Sequence, residues 1–214
     1  MDGAKIQSKV YRGYAIAAKK IGFPHSQYRP VSADLTGLAP ISTTLLASFN
    51  AEDMTYGKPN KYAKPTWYAI VDGTQTQVGD YLVGAAGTFF IAAQQPLLPI
   101  LAVECNRTLS FARPQAQSDV GAVTNYEGNT PDTQTPLATG WFASVLQGTK
   151  GEKNEVGLPG DVRTPWWAIL LPAIPGVTLQ SSDLMFDDLG RRYILSSVEL
   201  TDLGYRCTAM QAQT

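Results

Sequence analysis

Apolar and polar residues alternate along residues 100–113, ILAVECNRTLSFAR. One side of this segment carries Leu101, Val103, Cys105, Leu109 and Phe111. A period of two residues is typical of a strand with one face buried and the other in solvent. The pattern therefore predicts a strand over residues 100–113 whose apolar face packs on a core.

Other short apolar runs follow along the chain, separated by bends that are rich in Gly and Pro. Residues 198–210, VELTDLGYRCTAM, predict two strands joined near Gly204, which can adopt the positive φ of a tight hairpin. Short strands at this spacing are typical of small barrels or sandwiches rather than of alternating strand and helix units. We therefore predict a mainly β fold built from small β-barrel or sandwich domains.

The same order of residues occurs twice along the chain. WYAIVDGTQTQVGDYLVGAAGTFFIAAQ aligns with WWAILLPAIPGVTLQSSDLMFDDLGRRYILSS if the second copy carries a short insertion, LPAIP. The aligned pairs are Trp67 with Trp166, Ala69 with Ala168, Ile70 with Ile169, Asp80 with Asp183, Gly87 with Gly190, Phe90 with Tyr193, Ile91 with Ile194 and, with a slip of one residue, Cys105 with Cys207. YRP at 28–30 also resembles ARP at 112–114. We interpret the chain as a tandem duplication; patterning common to all β-barrels is the alternative.

A helical period marks the N-terminal part of the chain. Within residues 7–22 one helical face carries Val10, Tyr14, Ala17, Ala18 and Ile21. The opposite face carries Lys9, Arg12, Lys19 and Lys20. Gly22 and Pro24 end the predicted helix. Its apolar face packs either on the chain's own barrel or on a neighbouring subunit.

These patterns predict the domain organisation. An N-terminal helical segment at residues 1–27 precedes a first barrel at 28–112, and a second barrel at 141–214 follows a loop or linker at 113–140. The linker is polar, rich in Gly and Pro, and without periodicity. A loop of this length in a compact chain usually contacts another molecule.

Charge and composition exclude several functional classes. The chain has 17 basic and 18 acidic side chains, so no overall field attracts nucleic acid or a membrane surface. We recognise no signal peptide and no apolar run that could span a bilayer, and we expect synthesis in a cytoplasm. Cys105 and Cys207 fit neither a disulfide framework nor a four-ligand zinc site, and we interpret them as reduced core residues.

Candidate catalytic residues are few. The single histidine, His25, is predicted to be a hydrogen-bonded surface side chain in the turn after the helix. Asp187 and Asp188 are adjacent in a predicted turn, so their carboxylates point apart instead of converging on a substrate. Arg191 and Arg192 are nearby counter-charges. No phosphate-binding, dinucleotide-binding or metal-binding motif occurs. We predict no catalytic residue, metal site or cofactor, and a protein that is not an enzyme.

Paired aromatic residues occur at the same place in each copy. They are Trp67 and Tyr68 in the first copy and Trp166 and Trp167 in the second. Strand alternation turns one member of each pair toward the core and the other outward. We interpret one as a core anchor and the other as an interface residue; a sugar-stacking platform is the alternative.

Several segments resemble a group of structural proteins encoded by tailed bacteriophages, of the podophage neck or tail type. They are SKVYRGYAIAAKKIGFPHSQYRP, PNKYAKPTWYAIVDGTQTQVGDYLVG, QQPLLPILAVECNRT, LQGTKGEKNEVGLPGDVRTPWWAILLP and DDLGRRYILSSVELTDLGYRCTAMQAQT, so the likeness covers nearly the whole chain. The last segment is also distantly similar to the small β-barrel head–tail joining proteins beneath the portal ring. Two barrels per chain depart from the single barrel of those proteins.

The resemblance implies a non-enzymatic virion protein of the neck or tail: a head-to-tail adaptor, a part of the tail tube or nozzle, or a mount for tail fibres. The implied partners are portal, adaptor, tail-tube or tail-fibre proteins and further copies of the chain, six or twelve in a ring. No sequence-specific nucleic acid and no membrane is implied. The residues expected at partner interfaces are Val10, Tyr14, Lys19, Lys20, Ile21, Tyr68, Trp167, Arg191 and Arg192. The alternative functions are capsid decoration and a glycan- or receptor-binding fibre module.

Overall fold

The computed structural model describes residues 2–51, 64–114, 134–148 and 165–212. Over these residues the chain forms one helix and twelve strands, and the strands build two closed barrels of six strands each. The predicted mainly β fold, with two tandem small barrels and an N-terminal helix, is confirmed.

The first barrel encloses a core of small and branched apolar side chains around Phe89. Its strands are β1 (Phe23–Tyr28), β2 (Ser42–Ala51), β3 (Thr66–Val71), β4 (Tyr81–Gly84), β5 (Gly87–Ala93) and β6 (Ile100–Cys105). They close in the order β1-β2-β3-β6-β5-β4, and neighbouring strands are antiparallel.

The second barrel repeats this arrangement. Its strands are β7 (Arg107–Pro114), β8 (Gln134–Gln147), β9 (Trp166–Leu171), β10 (Leu184–Asp187), β11 (Arg192–Thr201) and β12 (Gly204–Gln211). They close in the order β10-β11-β12-β9-β8-β7. When each barrel is counted from its own first strand, the two cyclic orders are identical.

Irregularities in strand pairing also recur at matching places. The register shifts between the first two strands and between the last two strands of each barrel, and β7 and β8 carry one additional shift between Phe111 and Ala112. The recurring shifts lie between His25 and Gln27, Ile91 and Ala93, Leu109 and Phe111, and Leu195 and Ser197. A bulge is a specific local feature, so its recurrence in both barrels distinguishes a duplication from generic barrel patterning. The predicted tandem duplication is confirmed.

The predicted alignment of the copies is wrong by one residue in the third strand. Trp67 pairs with Ala102, and Trp167 pairs with the equivalent Ala209, so Trp67 corresponds to Trp167 and not to Trp166. The predicted matches of Ala69 with Ala168 and of Ile70 with Ile169 are wrong for the same reason.

The alignment is also wrong by one residue after the fourth strand. Phe90 pairs with Tyr81, and Ile194 pairs with Leu184. Because Tyr81 and Leu184 each directly follow the repeated aspartate, Phe90 corresponds to Ile194 and not to Tyr193. Ile91, predicted to match Ile194, is shifted in the same way and corresponds to Leu195.

A longer hairpin causes this offset. Gly84 pairs with Gly87 in the first copy, whereas the amide of Asp187 bonds to the carbonyl of Arg191 in the second. The second hairpin therefore holds one more residue between its strands. Gly87 corresponds to Arg191, and its predicted match with Gly190 is wrong.

The cysteines do not correspond either. Cys207 pairs with Ile169 inside the second barrel, at the place where Ile100 pairs with Ala69 in the first. Cys105 instead ends β6. The shared composition of the two terminal strands had suggested an equivalence that the register does not support.

The boundary between the barrels lies at Asn106, which is the single residue between β6 and β7. The predicted boundaries near residues 112 and 141 are therefore wrong, because β7 and β8 both belong to the second barrel. Residues 113–140 do not link the copies; they include the end of β7 and the start of β8, and residues 115–133 lie outside the described residues. The predicted single strand over 100–113 is two strands, and its apolar side, interrupted at Arg107, faces one cluster in both halves.

The helix α1 (Gly3–Ile21) packs on the first barrel of its own chain, where it contacts β2 and β3. Its N-terminus is capped by Asp2, whose side chain accepts a hydrogen bond from the amide of Ala4. Tyr11 and Tyr14 pack against the core of the first barrel, and the ring of Tyr11 lies so close to Gly73 that a Cβ there would clash. In the second barrel the longer connection between β9 and β10 is itself buried in the core through Ile174 and Leu179. No helix among the described residues combines the length and apolarity needed to cross a membrane.

Candidate protein interface

The second barrel covers part of the outer surface of the first. Tyr81, Phe90 and Val103 are cross-strand neighbours on β4, β5 and β6, and we call them the first outer row. They belong to the same hydrophobic cluster as the interior of the second barrel, and none is more than 3% exposed. A barrel surface, normally in contact with solvent, is here a protein-binding surface.

Hydrogen bonds complete the joint between the barrels. The Tyr81 hydroxyl donates to the carbonyl of Phe142 (2.7 Å), and Trp141 Nε1 donates to the carbonyl of Ala33 (2.7 Å). The side chain of Asn106 both donates to and accepts from the backbone of Val145, at 2.9 and 2.8 Å. Burial raises the pKa of Tyr81 well above its ordinary value, so this hydroxyl remains a neutral donor. These direct hydrogen bonds, together with the shared hydrophobic cluster, join the two barrels.

Each barrel contains the same ion pair, in which the aspartate is buried and the arginine is partly exposed. Arg29 donates from Nε and Nη2 to both carboxylate oxygens of Asp80, at 2.7 Å each, and Arg113 does the same to Asp183 at 2.7 and 2.8 Å. These hydrogen bonds raise the pKa of both guanidinium groups. In each copy the same carboxylate also accepts the amide of a glutamine three residues earlier. The first strand of each barrel is thereby fixed to the turn before its fourth strand.

Sequence reasoning missed these ion pairs although both ends were visible. The repeated YRP and ARP tripeptides and the repeated Asp80 and Asp183 appeared in the alignment as separate matches. The arginine and the aspartate of each pair are 51 and 70 residues apart, so only the closed barrel brings them together.

The second barrel carries the counterpart of the first outer row. Leu184 pairs with Ile194, Ile194 with Met210, and Met210 with Trp166. We call these four residues the second outer row. Ile194 and Met210 are 40% and 44% exposed, whereas their counterparts Phe90 and Val103 are buried. The second barrel thus presents to solvent an apolar surface that the first barrel buries.

The helix residues predicted at interfaces divide into two groups. Tyr14 packs on the first barrel and Val10 is half-buried, so the apolar face serves the chain's own fold. Lys19 and Lys20 are exposed in the last turn, where cations interact favourably with the helix dipole, and Ile21 is exposed beside them. A role of Lys19, Lys20 and Ile21 in binding a partner stays a prediction.

The predicted outer residue is correct in the first aromatic pair and wrong in the second. Trp67 packs on the first barrel's core and donates from Nε1 to Glu104, while Tyr68 is half-buried on the outer side. Trp167 packs on the core of the second barrel, with its ring 5.7 Å from that of Tyr193. The outer member is Trp166, so the choice of Trp167 for the interface is corrected. Alternation identifies two faces but not which of them meets the core.

The turn residues after β10 have structural partners. Asp187 accepts the amides of Leu189 and Arg191 with Oδ1 and the Tyr193 hydroxyl with Oδ2. Asp188 is exposed, with Oδ1 3.9 Å from Nε of a different residue, Arg107. The two carboxylates therefore do not converge on a common point. Arg191 is exposed and Arg192 half-buried beside this turn, and their place at a partner interface stays a prediction.

His25 is not a surface turn residue, as the sequence suggested, but a core residue of β1 that is 1% exposed. Its Nδ1 lies 2.8 Å from the carbonyl of Phe23, and Nε2 has no hydrogen-bond partner in the described residues. Pro24 permits the strand because β4 pairs with β1 only from His25 onward. The corresponding residue of the second barrel, one step before the same bulge, is Leu109.

Replacement of His25 by Leu is expected to raise the free energy of unfolding by about 1 kcal/mol, because it removes an unpaired buried polar atom. Leu109 occupies the same place in the second barrel without loss of the fold. Urea unfolding monitored by circular dichroism measures the change. His25→Ala is the matched variant and is expected to destabilise, since it removes the packing as well. A loss of stability in His25→Leu would show that the imidazole makes a favourable contact.

Both thiols are free and shielded, in agreement with their interpretation as reduced core residues. Burial raises the pKa of Cys207 to about 12 and raises that of Cys105, to which the charge of Glu104 also contributes. Neither thiol is activated as a nucleophile, because the thiolate is the reactive form.

The stability of the folded chain is expected to fall as pH rises above about 8.5, where an exposed thiol ionises. The unfolded chain then loses a proton that folded Cys207 retains up to a pKa of about 12. This one group contributes a slope of about 1.4 kcal/mol per pH unit between these pKa values. Urea unfolding at about pH 8 and about pH 10, compared with Cys207→Val, isolates it. The variant should lose less stability over this interval; equal losses in the two proteins would contradict the assignment.

Among the described residues, no three His, Cys, Asp or Glu side chains lie close enough together to hold a metal ion. Comparison of the chain with protein-family models, curated proteins and solved structures gave no match.

Proposed function

We propose that this chain is a structural virion protein of a tailed bacteriophage, located in the neck or tail and acting through protein–protein contacts in a ring. One observation carries the proposal: the outer sheet face of the first barrel, Tyr81, Phe90 and Val103, packs against the second barrel of the same chain, so these barrels are built to pack on one another. The resemblance of the sequence to phage structural proteins gives this surface a biological setting. In that setting the chain acts without catalysis.

The duplication has a physical use in a phage neck. The resemblance implies a transition between a twelve-fold portal and a six-fold tail. Six chains, each with two related barrels, would present twelve similar faces while keeping six-fold symmetry. Rings of this kind close through contacts between different surfaces of neighbouring subunits. The rigid joint at Asn106 would hold the two faces of each chain at a constant angle.

The proposal is tested on purified particles of the phage that encodes the chain. Mass spectrometry should detect the protein in the particles, and a reconstruction should place pairs of six-stranded barrels at the portal vertex or along the tail. Six chains around the axis agree with the use of the duplication proposed above. Absence from the particles, or density spread over the capsid faces, contradicts a neck or tail location.

One observation favours a second candidate function, a glycan-binding fibre module. A groove on the second barrel is lined by Trp166, Gln147, Arg206 and Thr208, which combine an aromatic ring with polar groups. Sugars stack on exposed rings and bond to such polar neighbours. Binding on a glycan array that is lost in Trp166→Ala would favour this function, and a blank array would remove it.

A catalytic role is tested directly on peptidoglycan. Because Asp187 is engaged by two amides and the Tyr193 hydroxyl, we expect no hydrolysis by the purified chain. Hydrolysis that is abolished in Asp187→Asn or Asp188→Asn would contradict this expectation.

A further inference from the structure

We propose that the second outer row binds the first barrel of another copy of this chain, and that copies associate head to tail. The contact repeats between chains the arrangement that already joins the two barrels within one chain. The inference deepens the proposed function and rests on it only in treating the chain as a component of an assembly.

The two outer rows are equivalent by their registers. Asp80 and Asp183 form the same ion pair and hold the same place before the fourth strand of their barrels. The residue after this aspartate pairs with a residue of the fifth strand. That residue pairs with one on the sixth strand, which in turn pairs with one on the third strand. In the first barrel these places are held by the first outer row, Tyr81, Phe90 and Val103, and then by Thr66. In the second barrel they are held by Leu184, Ile194, Met210 and Trp166.

The equivalent rows differ in what covers them. Within the chain, the first row is buried under the second barrel, and Phe142 lies directly against Tyr81 with ring centroids 5.4 Å apart. In the second row Leu184 is buried and Trp166 half-buried, whereas Ile194 and Met210 stay exposed, side by side on paired strands. The exposed part of the second outer row is apolar, and the equivalent part of the first outer row packs against a barrel. This apolar surface is therefore suited to bind another barrel of the same kind.

The complementary half of the contact is also present and exposed. Phe142 pairs with Thr108 on β7, and the equivalent pair in the first barrel is Leu46 with Pro24 on β1. Leu46 is half-buried and Pro24 exposed. Ile41 directly precedes β2 and is equivalent to Leu137 of the second barrel. Ile41 is 54% exposed, whereas Leu137 packs on the shared cluster. The first barrel of a second copy can therefore present Leu46 and Ile41 as the second barrel presents Phe142 and Leu137.

The contact between chains is more polar than the contact within the chain. Ser196 and Thr208, which bond to each other, take the places of Ala92 and Leu101 beside the row. Within the chain, Asn106 holds the barrels together covalently, so that joint is permanent. A more polar surface suits a contact that forms between separately folded chains. Because the two surfaces are different, their association propagates into a ring or a helical array.

The test uses two full-length variants and their mixture. Met210→Asp places a charge in the second outer row, and Leu46→Asp places one in the complementary surface. Wild-type chains should associate beyond a dimer in analytical ultracentrifugation, and each variant alone should associate at least about thirtyfold more weakly, as for the loss of a central interface residue. An equimolar mixture should form a 1:1 dimer, since each variant keeps the surface that the other lacks. Leu203→Asp, an exposed residue in the turn of the same β11–β12 hairpin, is the matched control and should associate as wild type.

Several outcomes overturn the proposal. A wild-type chain that stays monomeric at about 1 mM contradicts it, because an affinity near that value is too weak for a specific contact. Association that persists in Met210→Asp contradicts it as well, and circular dichroism confirms that the variants are folded. A mixture that stays monomeric excludes the head-to-tail geometry. Each of these results leaves the proposed virion location intact, whereas head-to-tail association of a chain absent from the particles overturns only that location.

Discussion

Replacement of Arg113 by Ala is expected to lower the free energy of unfolding by about 4 kcal/mol, because it leaves the carboxylate of Asp183 buried without its cation. That carboxylate is 2% exposed and keeps the amide of Gln180 as a donor. Removing the partner of a buried charge is more costly than losing a surface pair, since the remaining carboxylate is largely shielded from water. Urea unfolding at neutral pH measures the change.

The first barrel provides an internal comparison. Arg29→Ala leaves Asp80 fully buried in the same way, but Asp80 also accepts a hydrogen bond from Gln27 Nε2 at 2.7 Å. The corresponding residue of the second barrel is Phe111, which has no side-chain donor. We therefore expect a smaller loss in Arg29→Ala, about 3 kcal/mol. The order of the two losses tests the reason as well as the size of the effect.

An exposed pair is the control for both variants. Arg206 lies 3.9 Å from Glu199, and both side chains are mostly in solvent. Arg206→Ala is expected to change the free energy of unfolding by no more than about 0.5 kcal/mol. Losses of that size in Arg29→Ala and Arg113→Ala would mean that the buried pairs do not hold the barrels closed.

Trp141→Ala is expected to lower the free energy of unfolding by about 4 kcal/mol and to separate the unfolding of the two barrels. Trp141 is completely buried, lies against Tyr81, and donates to the carbonyl of Ala33. Its removal leaves a cavity in the joint and takes one of two donors from the carbonyl of Ala33, which keeps the amide of Thr139. Wild type should unfold in one calorimetric transition, because one cluster spans both barrels. The variant should unfold in two.

Tyr81→Phe is the matched variant for the joint. It keeps the ring in the first outer row and removes only the hydrogen bond to Phe142, so a loss of about 1 kcal/mol and a single transition are expected. If Trp141→Ala also unfolds in one transition with a small loss, the barrels are coupled by the covalent connection at Asn106 more than by the packed joint.

The duplication was visible in the sequence because matching residues occur in the same order and at nearly the same spacing in both copies. The repeated aspartates and the YRP and ARP tripeptides lay at matching places in both copies, and the structure pairs them. The alignment failed by one residue in β3 and again beyond the β4–β5 hairpin, where one added residue in the second copy shifts every later match. A single-residue offset in a strand leaves an apolar residue opposite an apolar residue, so it is difficult to recognise from composition.

The interface residues were harder to predict. Alternation showed that Trp166 and Trp167 face opposite sides of the strand but not which of them faces the core. In this chain parts of the outer surface of a barrel are apolar as well as its interior. Tyr11 was absent from the predicted helix face although it packs on the first barrel. The burial of His25 had no signal, since a lone histidine beside a proline is equally compatible with a turn.

By itself, the sequence determined the strand content, the presence of two related barrels and the apolar face of the helix, because these depend on periods and spacings that are local to the chain. Only the tertiary structure determined that β7 crosses into the second barrel after Asn106, that Arg113 meets Asp183, and that Phe90 and Val103 are covered while their counterparts Ile194 and Met210 are exposed. These features depend on which segments close each barrel and which barrel packs on the other. Such contacts join residues far apart along the chain, where the alternation of a strand specifies a face but not its partner.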